Sequence, residues 1–323
     1  MSVDKTDQML SAIPQSPLGM DVRAFLLDAQ ARRLSRRTVG VYARELLLLC
    51  RHLEQQEINQ VQAIETTHLR SYLLHLEQTG HTVGGQHLAY RVMKTFLRWY
   101  QAEEEPENWK NPILKVKPPK LNDEPLPPVP IDDVRKMAAT CMTRTFADQR
   151  DKAILLCLLD SGCRAEEFVS LNLADIDVAT GALMIRRGKG GKGRVTFVGA
   201  QARKELVRYL RYRPEAKPTD PVWVTVSKYH HNGTRLSYNG LRQIVRRRAC
   251  SAGVPEPPLH SFRRAFAINS LRAGTDLISL QRLLGHADLE TTRRYLRQTQ
   301  QDLQEVHRRA SPVDNLLAVG GGV

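Results

Sequence analysis

The sequence predicts a two-domain protein of the α+β class that is mainly helical and carries one small β-sheet. Apolar residues recur at three- and four-residue spacing through most of the 323 residues, which is the period of helices with one buried face. Six prolines between Pro118 and Pro130 interrupt this pattern, and such a stretch favours extended backbone over helix. The segment "ALMIRRGKGGKGRVTFV" has two strand-like runs around a turn rich in glycine and lysine.

The first predicted domain covers residues 18–112, is entirely helical, and follows a tail at residues 1–17. Ser35 is a suitable helix N-cap, whereas Gly80 and the pair Gly84–Gly85 are predicted to end or separate helices. The helical periodicity is carried by four segments, "GMDVRAFLLDAQARRL", "SRRTVGVYARELLLLCRHLEQQ", "TTHLRSYLLHLEQTG" and "GQHLAYRVMKTFLRWYQAE".

Residues 113–130 are predicted to form a linker, because connections inside compact domains are usually shorter. The second predicted domain covers residues 131–309 and is followed by a tail at residues 310–323. Its helices are expected at about 131–143, 147–161, 164–171, 199–212, 237–252, 261–273, 276–284 and 289–297. The two strand-like runs lie between the third and the fourth of these helices.

The composition points to a nucleic acid as the partner. The formal net charge is +14 with 48 lysines and arginines, and the planar fork of arginine suits bidentate contacts to phosphate. An apolar fraction of 41% is typical of a globular protein. We expect no membrane span, since no long uncharged apolar run occurs. Five scattered cysteines and the lack of a signal-peptide pattern favour the cytoplasm.

Four short segments of the second domain carry side chains that suit phosphate chemistry. They are "SGCRAEEFVSL" with Arg164, "RGKGGKGR" with Lys189 and Lys192, "PLHSFRRAF" with His260 and Arg263, and "LLGHADLETTRRYL" with His286 and Tyr295. Each has a plainer interpretation alone: a structural ion pair, a soluble turn, a helix cap or a packed ring. Tyr295, however, lies about 120° from the apolar Leu289–Leu296 face at roughly 100° per helical residue.

Together these segments fit the cleavage of a phosphodiester without a metal. The reaction needs a nucleophile, cations for the charge of the transition state and an acid for the leaving 5′-oxygen. A tyrosine, two arginines and a lysine can supply these, and a histidine can move a proton. The sequence has no HExxH motif, no paired acidic metal site and no Walker A spacing. We therefore expect no metal, no ATP and no other cofactor.

Four motifs also occur in one order along the chain. They are R-x-x-E at Arg164–Glu167, G-K-G-x-K at Gly188–Lys192, H-x-x-R at His260–Arg263, and L-L-G-H followed by a tyrosine nine residues after the histidine. This series resembles the tyrosine recombinase (phage integrase) family, in particular its Xer-like recombinases and compact integrases. The resemblance extends to about Arg309. It implies a helical, SAM-like core-binding domain and a catalytic domain that form a C-shaped clamp around DNA.

The resemblance implies a role for each matching residue. Tyr295 would be the nucleophile that joins the DNA 3′-phosphate, and Arg164 and Arg263 would hold the scissile phosphate. Lys189 would be the general acid for the 5′-hydroxyl. Its rival is Lys192, but the first lysine of the motif matches the family position.

Two histidines and a carboxylate complete the implied site. His260 would assist proton transfer, His286 would hydrogen-bond the phosphate, and Glu167 would help to order the site without reacting. The sequence departs from the family at Ala165, where a larger hydrophobic residue is frequent, and at Glu166, where a small polar residue is usual. Neither departure removes a catalytic group.

The resemblance also implies the partners. They are double-stranded DNA with paired inverted sites and three further copies of the chain in a tetramer on DNA, with the C-terminal tail docked on a neighbouring protomer. A partner recombinase in place of some of these copies is an open alternative. The segment "LRQIVRRRAC", with arginines at 242 and 246–248, is expected to lie against the DNA. The candidate DNA contacts are Arg36, Arg37, Arg44, Arg91, Lys94, Arg98, Lys192, Arg242, Arg246 and Arg247. Because no arm-binding domain precedes residue 18, control through distant arm sites is not expected.

Two other functions stay open at this point. A type IB topoisomerase would use the same tyrosine chemistry on one strand and would give no crossover product. A DNA-binding regulator could keep the fold without cutting, although a pure binder has no need of the complete Arg–Lys–His–Arg–His–Tyr set. The target sequence and the kind of genetic element do not follow from the sequence.

Overall fold

The computed structural model describes residues 8, 9, 11–121, 126–186, 193–226, 233–285, 304, 307, 308 and 310–313. The chain divides into two compact units, Met1–Asp123 and Glu124–Val323, and the division falls inside the proline-rich stretch. The described residues are mostly helical and include one three-stranded sheet, so the predicted fold class is confirmed. No helix in this part of the chain is both long and apolar enough to cross a membrane.

Among its described residues, the first unit contains four long helices, which are α1 (Pro17–Ala31), α2 (Arg36–Glu54), α3 (Thr66–Gln78) and α4 (Val83–Glu104). Short 3-10 turns lie at Val61–Ala63 and Pro112–Lys115. Their apolar faces share one core in which the rings of Phe25 and Phe96 are 5.6 Å apart. Burial of each such side chain contributes about 1.5–3 kcal/mol.

Side-chain caps decide where these helices begin. The Ser35 side chain accepts a hydrogen bond from the backbone N–H of Thr38, as its N-cap prediction requires. Gly80, at φ +81°, lies in the turn after α3. The pair Gly84–Gly85 does not separate helices, and that prediction is wrong. Both glycines lie in the first turn of α4 because the Thr82 hydroxyl caps the helix by accepting from the Gly85 N–H.

The second unit contains seven longer helices and the sheet within its described residues. The helices are α5 (Ile131–Ala139), α6 (Phe146–Ser161), α7 (Ala165–Ser170), α8 (Ala200–Leu210), α9 (Tyr238–Ala252), α10 (Leu259–Arg272) and α11 (Leu277–Leu284). The strands are β1 (Ile176–Asp177), β2 (Ala182–Ile185) and β3 (Arg194–Phe197). All three strands are antiparallel in the order β1-β2-β3, with Ile176 opposite Leu183 and Ile185 opposite Arg194. The predicted helix at 289–297 lies outside the described residues.

Two packing features join helices of the second unit: one links α7 to α8, and the other links α6 to α10. The Trp223 ring stacks between Phe168 of α7 at 4.7 Å and Tyr209 of α8 at 5.6 Å, measured between centroids. Gly162 ends α6 at φ +60°, and a Cβ there would lie 2.4 Å from the ring of Phe266 in α10. Because only glycine leaves that space, the end of α6 can approach α10 closely.

Candidate active site

Four of the predicted site residues lie within the described part of the second unit: Arg164, Glu167, His260 and Arg263. The other four, Lys189, Lys192, His286 and Tyr295, lie outside the described residues. Arg164 and Glu167 lie at the start of α7, and His260 and Arg263 lie in the first turns of α10.

Arg164 occupies the N-cap position of α7 and is held there by Glu167. Its backbone N–H donates to Glu167 Oε2 at 3.0 Å, and its Nη1 donates to Oε1 at 2.8 Å. This carboxylate therefore satisfies an N–H that a helix start leaves without a helical partner, and it fixes the guanidinium at the same time. The Arg164 side chain remains 30% exposed, so an anion in solution can reach it.

Arg194 also binds Glu167, and the sequence reasoning missed it. Its Nη1 donates to Oε1 at 3.0 Å and its Nη2 to Oε2 at 2.6 Å. Burial alone would raise the pKa of Glu167, but the hydrogen bonds and charge of Arg194 and the bonds from Arg164 lower it to about 2. Glu167 is therefore ionised at neutral pH.

Arg263 is 1% exposed and joins two backbone segments. Its Nη1 donates to the carbonyl of Gly162 at 2.8 Å, and its Nη2 donates to the carbonyl of Leu284 at 2.7 Å. The first carbonyl lies two residues before Arg164, and the second lies two residues before His286. Arg263 thus ties the Arg164 segment to the end of α11. A buried charge of this kind requires such partners.

His260 lies in the first turn of α10 with an exposed side chain. Its pKa is lowered, first by partial loss of solvent and then by the charges of Arg264, Arg263 and Arg164. Arg263 and Arg264 lie on α10 beside His260, whereas Arg164 acts on the imidazole because the start of α7 lies near the start of α10. His260 is accordingly neutral near pH 7, which leaves a ring nitrogen able to accept a proton.

The combined arrangement favours a bound anion. Arg164 and Arg194 bind one carboxylate, Arg263 holds the backbone just before Arg164, and a neutral histidine stands beside them. The excess positive charge, with one guanidinium open to solvent, suits a phosphate group.

The arginines of α9 do not share one environment. Arg242 and Arg246 are exposed, and their Nε atoms lie 3.1 and 3.8 Å from the carboxylate of Glu256. Arg247 is half-exposed and donates to Asp151 at 2.7 Å. Arg248, which belongs to the segment expected to lie against DNA but not to the candidate contacts, is buried and binds Asp148 and Asp151. Its spacing from Leu241, Ile244 and Val245 places it on the buried stripe of the helix, and that spacing was the signal to find it.

The candidate DNA contacts of the first unit lie on α2 and α4. The side chains of Arg36, Arg37, Arg44, Arg91 and Arg98 are exposed, and Lys94 is half-buried. The residues 91, 94 and 98 follow each other on one face of α4, where the Nζ of Lys94 lies 5.9 Å from the centre of the Tyr90 ring. Arg44 donates to the buried Glu45 at 2.5 Å.

Two family descriptions match the sequence. "Phage integrase family" matches residues 129–302, and "Phage integrase, N-terminal SAM-like domain" matches residues 22–104. The tyrosine recombinase XerC of Alcanivorax borkumensis is 32% identical over 298 residues, which is 90% of this chain and 93% of that protein. The tyrosine recombinase XerA of Pyrococcus horikoshii is 30% identical over 247 residues, 76% of this chain and 80% of that protein.

Solved structures share the fold at low identity. XerH site-specific recombinase bound to its difH substrate, in a pre-cleavage complex, has a TM-score of 0.65 at 19% identity, covering 93% of this chain and 92% of that one. A dimer of lambda integrase residues 75–356 bound to a COC′ core site has a TM-score of 0.68 at 15% identity, covering 84% and 96%. The chain therefore belongs to the phage integrase family, as a Xer-like tyrosine recombinase and a site-specific recombinase enzyme.

Proposed function

We propose that this chain cuts and rejoins DNA strands at specific sites through a 3′-phosphotyrosyl intermediate on Tyr295, without a metal ion or ATP. The observation that carries the proposal is the meeting of Arg164, His260 and Arg263, which come from segments about 100 residues apart in sequence. Their positive charge, with a neutral imidazole beside it, matches a phosphodiester whose transition state gains negative charge.

The proposed chemistry assigns one task to each group. The Tyr295 phenol attacks phosphorus, and its oxygen forms a bond to the 3′-phosphate while the bond to the 5′-oxygen breaks. Lys189 protonates the departing 5′-oxygen, and His260 takes the proton of the phenol. Arg164 and Arg263 bind the non-bridging oxygens. Attack by a 5′-hydroxyl on the ester reverses these steps and reseals a strand, so the energy of the broken bond is kept.

His286 and Glu167 support this reaction in the proposal. His286 donates a hydrogen bond to the phosphate, directly after the α11 end that Arg263 holds. Glu167 keeps the Arg164 guanidinium in place.

Since the pKa of His260 is lowered, the cleavage rate should stay constant as pH falls from 8 to the ordinary histidine value of about 6.5. It should decline only below that, as His260 takes up a proton.

DNA is the proposed partner, since XerH was solved bound to its difH substrate and lambda integrase bound to a COC′ core site. The exposed arginines of α2 and α4 in the first unit, and of α9 in the second, would neutralise backbone phosphates. Binding should therefore weaken steeply with salt, because released counterions drive it. The enzyme would act where the chromosome lies, in the nucleoid.

Recombination joins two duplexes with two strand cleavages in each, so four active sites are needed. We propose that four copies assemble on paired inverted sites, exchange strands through a Holliday junction, and contact each other through the C-terminal tail, residues 310–323. A partner recombinase could take two of the four places. Deletion of the tail should leave cleavage of a single site intact and slow recombination between two sites.

Covalent trapping tests the function. The protein is incubated with nicked duplexes that cover the DNA flanking its own gene, in buffer with EDTA and without ATP. An adduct that resists SDS, disappears with protease and is lost in Tyr295→Phe supports the proposal, and sequencing it gives the target site. Salt-sensitive binding without any adduct would contradict it. Relaxation of supercoiled DNA without crossover products would indicate a topoisomerase instead.

A further inference from the structure

Arg194 lies at the first position of β3 and points into the protein. Its side chain is 9% exposed. The apolar side chains of the same strand point the other way, since Val195 is 38% and Phe197 52% exposed while Thr196 is fully buried. A strand that turns an arginine inward and a phenylalanine outward places a charge where it requires strong partners.

Those partners are Glu167 and the backbone at the end of α11. Two nitrogens of Arg194 hold the two Glu167 oxygens as a fork, at 3.0 and 2.6 Å. The third nitrogen, Nε, donates to the carbonyl of Leu283 at 3.0 Å. One guanidinium thereby connects the Glu167 carboxylate of α7 with the Leu283 carbonyl of α11. Leu283 lies 89 residues after Arg194 in the sequence.

Both ends of this connection lead to residues of the proposed reaction. Glu167 in turn binds Arg164 through its side chain and its backbone N–H. Leu283 belongs to the last turn of α11, where carbonyls lack a helical partner, and the chain continues through Gly285 to His286. Gly285 has φ +66°, and a Cβ there would lie 2.5 Å from the Cδ of Arg194. The Arg194 side chain thus lies directly against the backbone that enters His286.

We propose that Arg194 is a positioning residue for strand cleavage, which holds the Arg164–Glu167 pair in a fixed relation to the Leu283–Gly285 turn. This rests on the proposed function, because it takes Arg164 and His286 to act on the phosphate. Arg194 is covered and makes its bonds inside the protein, so it does not bind DNA itself. Its loss should therefore lower the rate of cleavage with little change in DNA affinity.

The test compares Arg194→Met with Arg213→Met. Arg213 is a matched control, because it is also a buried arginine of the second unit and also donates to backbone carbonyls, those of Pro221 and Val222. Each variant is titrated against a nicked duplex that carries the site recovered by trapping. The apparent Kd, the rate of adduct formation at saturating protein and the melting temperature are measured.

We expect Arg194→Met to lose about 10- to 100-fold in saturated cleavage rate, as misplacement of about 1 Å does, with an apparent Kd within about twofold of wild type. Arg213→Met should melt at a lower temperature and cleave at the wild-type rate. If Arg194→Met does not fold, Arg194→Lys carries the test. Lysine keeps the charge but has a single nitrogen and cannot bind both Glu167 oxygens and Leu283, so the rate should still fall.

A double variant adds a readout that general loosening would not give. Glu167→Gln removes the same connection from its other end, so Glu167→Gln/Arg194→Met should be no slower than the slower single variant. Wild-type cleavage rates in Arg194→Met or Arg194→Lys, equal losses in Arg194→Met and Arg213→Met, or multiplied losses in the double variant would each overturn the positioning role. Absence of any adduct with the wild-type protein would instead overturn the proposed function.

Discussion

Two buried carboxylates of the second unit are each surrounded by arginines, yet they are built into the protein differently. Asp151 in α6 accepts from Arg150, Arg247 and Arg248. Glu167 in α7 accepts from Arg164 and Arg194. In composition the two clusters are alike, so a carboxylate among arginines is not by itself a sign of catalysis.

The difference lies in what else the arginines reach. Around Asp151 they bind the carbonyls of Val224 and Thr140 and the carboxylate of Asp148, which join α6 and α9 to neighbouring loops. Around Glu167 one arginine stays partly open to solvent near His260, and the other holds the turn before His286. The Asp151 cluster joins helices, whereas the Glu167 cluster joins the segments that carry the proposed reacting groups.

The two clusters should differ most in how the cleavage rate and the melting temperature respond when one arginine of each is replaced by lysine. Arg164→Lys loses the planar fork and should lower the cleavage rate by about 10²- to 10³-fold, the cost of removing one preorganised donor, with a nearly unchanged melting temperature. Arg248→Lys should lower the melting temperature and leave the rate per folded molecule unchanged. Adduct formation and thermal unfolding, measured on both variants, would contradict this comparison if the two effects were exchanged.

Asp151→Asn should be the most damaging change to stability. It leaves three arginines around a neutral amide, and breaking a buried pair of this kind costs about 3–5 kcal/mol of the free energy of unfolding. Asp132→Asn is the control, since Asp132 forms an exposed pair with Arg135 at 2.7 Å and such pairs contribute about 0–1 kcal/mol. Urea unfolding measures both, and equal losses would show that the Asp151 cluster does not join the helices.

Acid should weaken the Glu167 cluster in a defined pH range. The pKa of Glu167 is about 2 in the folded protein, against an ordinary value of 4.5. Its stabilisation is thus complete above about pH 4.5 and is lost as pH falls towards 2, on the order of 3 kcal/mol in total. Glu167→Gln should be less stable at neutral pH and should lose less stability in that range. Parallel curves of unfolding free energy against pH for wild type and Glu167→Gln would show that Glu167 is not the source of this loss of stability in acid.

Helix periodicity and caps predicted most of this fold because they are local signals. Ser35 was predicted as a cap from its neighbours alone, and α10 begins at Leu259, two residues before its predicted start. The error at Gly84–Gly85 came from weighing glycine as a helix breaker above the cap at Thr82. Strand β1 has two residues, which is too short for alternation to show.

The candidate site was predictable only in part. Arg164, Glu167, His260 and Arg263 were predicted through the order of short motifs, and these four residues lie near one another in the second unit. Arg194 was not found, because its partners lie 27 and 89 residues away in sequence and its strand, "RVTF", suggests that the valine and phenylalanine face inward. Contacts between distant segments decided which side of β3 is buried, and no local pattern carries that information.

A smaller effect on stability is expected at Gly162, two residues before Arg164, and Gly253 provides a matched control. Gly162→Ala and Gly253→Ala both place a Cβ at positive φ, +60° and +64°, which costs about 1–2 kcal/mol. At Gly162 the added atom also meets the Phe266 ring at 2.4 Å, whereas at Gly253 nothing lies within 4 Å. Gly162→Ala should therefore be less stable than Gly253→Ala by about 1–3 kcal/mol. Equal unfolding free energies would mean that α6 and α10 need not approach at this point.

The smallest effect concerns the exposed arginines of α9, which have a carboxylate partner that DNA would replace. Glu256 lies near Arg242 and Arg246, and exposed pairs of this kind contribute about 0.2–1 kcal/mol each. Glu256→Gln should therefore strengthen DNA binding by about two- to fivefold. Glu215→Gln, at another exposed carboxylate of the same unit, changes the net charge equally and controls for the electrostatic attraction of the whole protein to DNA.

If fluorescence anisotropy showed the same gain in DNA affinity in both variants, Glu256 would not compete with phosphate for these arginines. A gain confined to Glu256→Gln would identify α9 as a DNA-facing helix, in contrast to the buried Asp151 cluster on its other side.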